Sequence, residues 1–458
     1  MNKRLKKTLL ILGSILLSGS VIALPFSLLS INSNSIVIGN FQSYMSPTVM
    51  ENLSKEYNIN WQYYSSNAEI PTYIQNKTLD LAVATNNMVG QLIVQDSIQP
   101  IEWERFGLIN PKTNMIITDY SELENFVTPI TWSLCEIIGQ SIGINNLLEY
   151  CIPYFCQDLV FGYNGKQIDD ERMNENSNFQ NIFSYITDIN IKNNRFLSGN
   201  SSVMMIKDAR TVFDVCNLIN EKDINPINAT ISKDNKNNIE SPTIDQMDQI
   251  YNTILNYYNP IGNKNTITFN SDSNIVLNKF ANNEINGAFF YNGDAIYSLM
   301  GGDNVSIADD YTVEEINEWT SNKHMIIPNQ NNNFIAMDAF VINKSLDDSK
   351  KDDVYNIIKS ISFDFNYNDV DENDDYVSLT MQNFDYVNYT PCYIDLYDYV
   401  INDYFKECFP NNPNLSSLLE KLISIDNIVL TKENIELPIN NLADSNMNIA
   451  FTTFIDKI

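Results

Sequence analysis

Short apolar runs alternate along the chain with stretches whose apolar positions recur every three or four residues. Ser35–Gly39 (SIVIG) predicts a buried strand, and Ser46-Pro47, an N-cap followed by proline in the first turn, opens a helix over Thr48–Tyr57. Asn60–Tyr64 predicts a second strand and Ile70–Asn76 a helix, and Asp80–Ala84 (DLAVA) predicts a third strand leading into a helical stretch through Ile98. The same strand-to-helix order returns at Val203–Ile206 (VMMI), which runs into a helix from Ala209, and at Gly287–Tyr291 (GAFFY), which passes Asn292-Gly293 into Ala295–Met300. This alternation predicts an α/β protein with a mixed, mostly parallel sheet, and the return implies a second sheet. Asp364–Tyr376 (DFNYNDVDENDDY) reads as a solvated acidic loop. No repeat of fixed period is present.

Length and composition sharpen this picture. A chain of 458 residues exceeds what one core usually organises, so two or three compact units are expected. With 28 Lys and Arg against 57 Asp and Glu, the net charge of −29 argues against a nucleic-acid partner, which needs a basic face, and allows a cationic ligand. Lys3, Arg4, Lys6 and Lys7 precede an uncharged stretch, Thr8–Ile31, long enough to cross a hydrocarbon layer of about 30 Å. Residues 1–31 therefore read as an anchor or a signal peptide, with the basic end inside and the body on the extracytoplasmic side of the cell membrane, or secreted if the segment is cut. The first cysteine is Cys135, so no cysteine near the apolar segment can carry a lipid. That absence favours the anchor. The six cysteines (135, 151, 156, 216, 392 and 408) are expected as free buried thiols, and the single histidine, His324, argues against a histidine-rich metal centre.

Ligands of open parallel sheets collect at the carboxyl ends of the strands, where loops and helix starts face a crevice. Those ends carry Phe41, Ser43 and Tyr44 after the first strand, Thr85 and Asn86 after the third, Asp208 after VMMI, and Tyr291 with Asp294 around GAFFYNGDA. Ring faces attract a cation and a desolvated carboxylate binds it by a charge-assisted hydrogen bond, so the set suits an ammonium ligand. Each residue also has an ordinary reading. Asp208 and Asp294 can cap helices, and Phe41 and Tyr44 can be core aromatics.

Seven stretches, in order, resemble the spermidine/putrescine-binding proteins of polyamine ABC importers. They are NFQSYMSPTVMENLSKEYNI (Asn40–Ile59), LDLAVAT (Leu79–Thr85), CIPYF with FGYNG (Cys151–Phe155, Phe161–Gly165), MMIKDARTVF (Met204–Phe213), FFYNGDA (Phe289–Ala295), AMDAFVI (Ala336–Ile342) and NFDYVNYTP (Asn383–Pro391). The resemblance implies a two-lobed, type II periplasmic-binding-protein-like fold that captures its solute in the inter-lobe cleft. It implies a first lobe of residues 35–160 and 292–345 and a second of 161–291 and 346–458. It further implies a non-enzymatic, cofactor-free protein that hands a polyamine or other small cationic solute to a membrane permease with its ATPase subunits. Tyr44, Asp208 and Asp294 match the positions of an aromatic wall and amine-holding carboxylates, Phe41 stands where a tryptophan is usual, and Thr85 matches a small hydroxyl at the ligand edge. The chain departs from the pattern at Ser43, a position often acidic, at Thr211, where a second carboxylate is usual, at Asn87 for an aromatic, and at Ala336 for a tryptophan.

Two other motifs compete. Gly139-Gln140-Ser141-Ile142-Gly143 has the spacing of a nucleophile elbow, and with His324 it would make a serine hydrolase; a binding protein for a different small solute is the other alternative. Asp369, Asp371 and Asn373 start like a calcium loop, but Asp374 replaces the glycine and Thr380 the glutamate that such a loop requires, so no metal is assigned. No G-x-x-x-x-G-K-[S/T] loop is present, so ATP hydrolysis would fall to a partner.

Overall fold

The computed structural model describes residues 35–197, 203–220, 230–235, 241–258, 267–303, 307, 311–328, 333–371, 376–425, 428–431 and 434–457. The expected anchor, and Asn373 and Asp374 of the acidic loop, lie outside them. Among the described residues ten strands follow in chain order: β1 (Ile36–Phe41), β2 (Ile59–Tyr64), β3 (Leu81–Thr85), β4 (Ile152–Asn164), β5 (Val203–Ile206), β6 (Ile267–Asn270), β7 (Gly287–Tyr291), β8 (Lys323–Ile326), β9 (Ile335–Ile342) and β10 (Thr390–Pro391). The chain divides into two compact units, one of residues 1–140, 144–156 and 337–408, the other of 141–143, 157–336 and 409–458. Both β4 and β9 begin in one unit and end in the other. These boundaries differ from the expected lobes: residues 292–336 fold with the second unit and 346–408 with the first. The reason lies in the helices after β7 and β9, each of which stays with the sheet its own strand feeds.

In the first unit β1 pairs in parallel with β2 and β3, and β9 closes the row antiparallel to β3, with Thr85 opposite Asp338. β10 pairs antiparallel with the start of β4. All five residues of β3 and all eight of β9 are buried, as expected of strands covered on both faces. The helix Pro47–Glu56 begins at the expected Ser46-Pro47, but the Ser46 side chain makes no cap bond. Gly39 is required by packing: a Cβ there would lie 2.7 Å from the Tyr64 ring.

In the second unit β5 pairs in parallel with β6 and β7, and the later part of β4 lies antiparallel to both β7 and β8. The helices Ile244–Tyr258 and Asn441–Lys457 close this unit's core through Tyr251, whose ring centroid lies 5.3 Å from Phe451 and 5.5 Å from Phe454. Lys457 adds an ion pair to Asp248 at 2.6 Å.

The elbow motif is not formed. An elbow needs a strand turning sharply into a helix, whereas Ser141 is the last residue of the helix Pro129–Ser141. Local structure accounts for both glycines: a Cβ on Gly139 would sit 2.7 Å from Asn146 Cα, and Gly143 has a left-handed φ of +82°. His324 stacks on Tyr163 at 4.7 Å and its Nε2 lies 2.9 Å from the Gly165 carbonyl. Among the described residues no helix is long and apolar enough to cross a membrane, and no group of three or more His, Cys, Asp or Glu side chains is placed to hold a metal ion.

Candidate functional site

The nominated residues fall into one set on each unit. On the first unit the organising group is Asp338, in the middle of β9 and 3% exposed. Its Oδ2 accepts a hydrogen bond from Tyr44 Oη at 2.8 Å, and its Oδ1 accepts one from Thr85 Oγ1 at 2.7 Å. Asn67 completes the arrangement, donating from Nδ2 to Thr85 Oγ1 at 2.8 Å and accepting from the Thr85 backbone N–H at 3.1 Å. Burial pushes the Asp338 carboxyl up to about 6, against the pull of the two hydroxyl donors. Tyr44 is raised well above its usual value, first by its own burial and then by the Asp338 charge.

Around this hydroxyl-carboxylate node stand rings. Tyr44 meets Tyr154 at 5.4 Å, Tyr389 at 5.3 Å and Phe41 at 6.1 Å, all edge to face. Tyr154 Oη donates to the Tyr44 carbonyl at 2.9 Å and accepts from Asn383 Nδ2 at 2.7 Å, which fixes the loop that carries Tyr44. Ser43 is exposed with φ +57°, so the loop turns there and leaves its hydroxyl in solvent. Asn86 is fully buried, and its Oδ1 accepts from the Met337 backbone N–H at 2.8 Å. It fastens β9. Asp338 was missed as a site residue because AMDAFVI reads as a core strand, and its partner Tyr44 is 294 positions away. The one available signal was a carboxylate in an otherwise apolar strand, where it must find donors.

On the second unit, Asp208 ends the loop after β5 and caps the helix Ala209–Asn220 as expected, its Oδ1 accepting from the Thr211 backbone N–H at 2.8 Å and from Thr211 Oγ1 at 2.9 Å. Thr211 Oγ1 lies 2.7 Å from Tyr291 Oη, so the ends of β5 and β7 are joined through one hydroxyl pair. Asp294 is buried, but it is not the cap of its helix. The helix runs Asn292–Leu299 with Tyr291 at the N-cap, which places Asp294 third within the first turn. A carboxylate there still faces the favourable end of the helix dipole.

The ground around Asp208 is strongly acidic. Arg210 stands within it, paired through Nε to Asp214 Oδ2 at 2.9 Å and also sensing Glu436 and Asp444. Burial lifts the Asp214 carboxyl to about 6, with Arg210 opposing and Asp208 adding to the rise. Burial likewise raises Asp444, and Asp208 adds to that rise as well. Three carboxylates, Asp214, Glu436 and Asp444, thus share one guanidinium, and the charge of Asp208 is felt by two of them. A second positive charge brought to Asp208 would lower the energy of the group.

These two units, each a sheet with parallel strands at one side and the antiparallel crossover strands β4 or β9 at the other, define the type II periplasmic-binding-protein-like fold. Solved structures of that fold agree. The spermidine/putrescine ABC transporter substrate-binding protein PotD of Streptococcus pneumoniae is 16% identical with a TM-score of 0.50, covering 92% of this chain and 98% of that one. A Listeria monocytogenes protein assigned as a spermidine/putrescine ABC transporter is 15% identical with a TM-score of 0.51, covering 92% and 99%. Over residues 1–412 the sequence matches the family described as hypothetical lipoprotein (MG045 family), and the chain belongs to that family. Among curated proteins no sequence matches it.

Proposed function

We propose that this protein is the extracytoplasmic solute-binding component of an ABC importer and that its solute is a linear polyamine of the spermidine/putrescine class. The observation that carries the proposal is the Asp208 cluster, a half-buried carboxylate oriented by Thr211 at the carboxyl end of β5, joined to Tyr291 at the end of β7, in ground where carboxylates outnumber cations. An ammonium group supplies the charge this cluster lacks and the donors that its oxygens accept. Thr211, standing where the polyamine-binding pattern has a second carboxylate, gives a hydroxyl instead, which orients Asp208 without adding charge. Asp294 is the second amine acceptor in this reading, and Tyr291 offers a ring face to the methylene stem. The permease and ATPase subunits are separate chains.

The membrane tether in this proposal is the apolar segment 8–31. The family is described as lipoproteins, yet the first cysteine of this sequence, Cys135, is fully buried in the body, so the anchor needs no lipidated thiol. Solute class is tested by a thermal-shift panel of putrescine, spermidine, spermine, amino acids and sugars on residues 32–458. The expected outcome is stabilisation by the amines alone, about 2.7 kcal/mol at one hundred times the dissociation constant. Stabilisation by a sugar or an amino acid, with none by di- or triamines at millimolar concentration, overturns the polyamine assignment.

A further inference from the structure

Four of the six cysteines lie in the first unit's core, all fully buried: Cys135, Cys151, Cys156 and Cys392. The sulfurs of Cys156 and Cys392 are 3.6 Å apart, at van der Waals contact. Their backbones are held from several sides. Cys156 pairs with Thr390 in the β4–β10 ladder, the Cys392 carbonyl accepts from the Thr128 backbone N–H at 2.8 Å, and Tyr393 bridges to Val127. Neither backbone can move away without breaking main-chain hydrogen bonds. A covalent bond needs the sulfurs about 1.6 Å closer.

We propose that Cys156 and Cys392 are a modification site, closed as an intramolecular disulfide when the chain folds in an oxidising compartment. The co-reactant is an external disulfide. The thiolate of one cysteine attacks it, forming a mixed disulfide and releasing one thiol; the second cysteine, losing its proton, then displaces the other half as a second thiol. The protein gives up two electrons and two protons, and the external disulfide takes up both. Once the unit has closed, burial raises the Cys392 thiol well above its ordinary value, which slows exchange from the folded state in either direction. The bond therefore forms while β10 is docking onto β4. Its effect is to tie the returning segment of the first unit to the strand through which the chain leaves it.

The test uses unfolded, fully reduced protein refolded by dilution into a buffer of reduced and oxidised glutathione, then denatured and alkylated before digestion. The expected result is that Cys156 and Cys392 escape alkylation and appear in one linked peptide until a reductant is added, while Cys216 and Cys408 alkylate directly. Reduction should also lower the midpoint of thermal unfolding by about 5 °C or more, as expected for removing a long-range cross-link. Cys392→Ser should remove both the linked peptide and the sensitivity to reductant. Direct alkylation of both Cys156 and Cys392 in the refolded wild type, or linkage of either one to a different cysteine, overturns the proposal. Solute binding does not enter the readout, so this outcome is independent of the polyamine reading.

Discussion

Asp338 on β9 and Asp208 after β5 present the same carboxylate to different surroundings. Asp338 is buried, both its oxygens accept from protein hydroxyls, and none of the groups that shift its titration is a cation. Asp208 is half-buried, its Oδ1 takes both cap bonds, and its neighbours are carboxylates sharing Arg210. Satisfaction by neutral donors makes the first a structural node that holds Tyr44 and Thr85 in place. An acidic neighbourhood with one oxygen clear of the cap makes the second the better acceptor for an incoming cation.

The largest way to break this contrast is Asp338→Ala. The change strands two buried hydroxyls, so the first unit should lose about 3–5 kcal/mol of stability by urea denaturation, read as a shift in midpoint. Full retention of the midpoint would mean that the node is unimportant. Asp208→Asn sharpens the contrast from the other side. Asparagine caps a helix about as well, so stability should change by under about 0.5 kcal/mol, while calorimetric affinity for spermidine should fall by about 2–5 kcal/mol. Unchanged affinity would remove Asp208 from the binding set. The smallest effect is on pH dependence. The folded protein keeps the Asp338 proton up to about pH 6 whereas the unfolded chain releases it near 3.8, so between these values the folded state binds more protons. The stability contributed by this group should therefore rise by about 2–3 kcal/mol as pH falls from 6 to 4, and be absent above 6. Comparing melts of wild type and Asp338→Asn across that window isolates the term, and parallel curves would refute it.

Local signals carried much of this molecule. VMMI followed by Asp-Ala-Arg is a strand, a capping carboxylate and a helix start within eight residues, and all three stand as expected. The loop at Phe41–Tyr44 was likewise legible, because a buried run ending in polar residues and Ser-Pro can only turn there. The role of Asp338 was not, since both partners that define it come from segments more than 250 positions away. Asp294 shows a subtler limit: Asn-Gly-Asp can start a helix at any of three residues, and the choice falls to the pairing of β7, which extends the strand through Tyr291. The lobe boundaries failed for the same reason, as they depend on which sheet each late helix covers.

The helix Asn441–Lys457 lies beyond residue 412, where the family match stops, yet its Met447, Phe451 and Phe454 are built into the second unit's core. Evolutionary likeness and mechanical integrity thus end at different places on this chain. An expression fragment trimmed to the recognisable family portion would uncover the Tyr251 ring and the apolar side of its helix, producing a sticky, half-finished unit. Fragments meant for crystals or binding assays should run through Lys457.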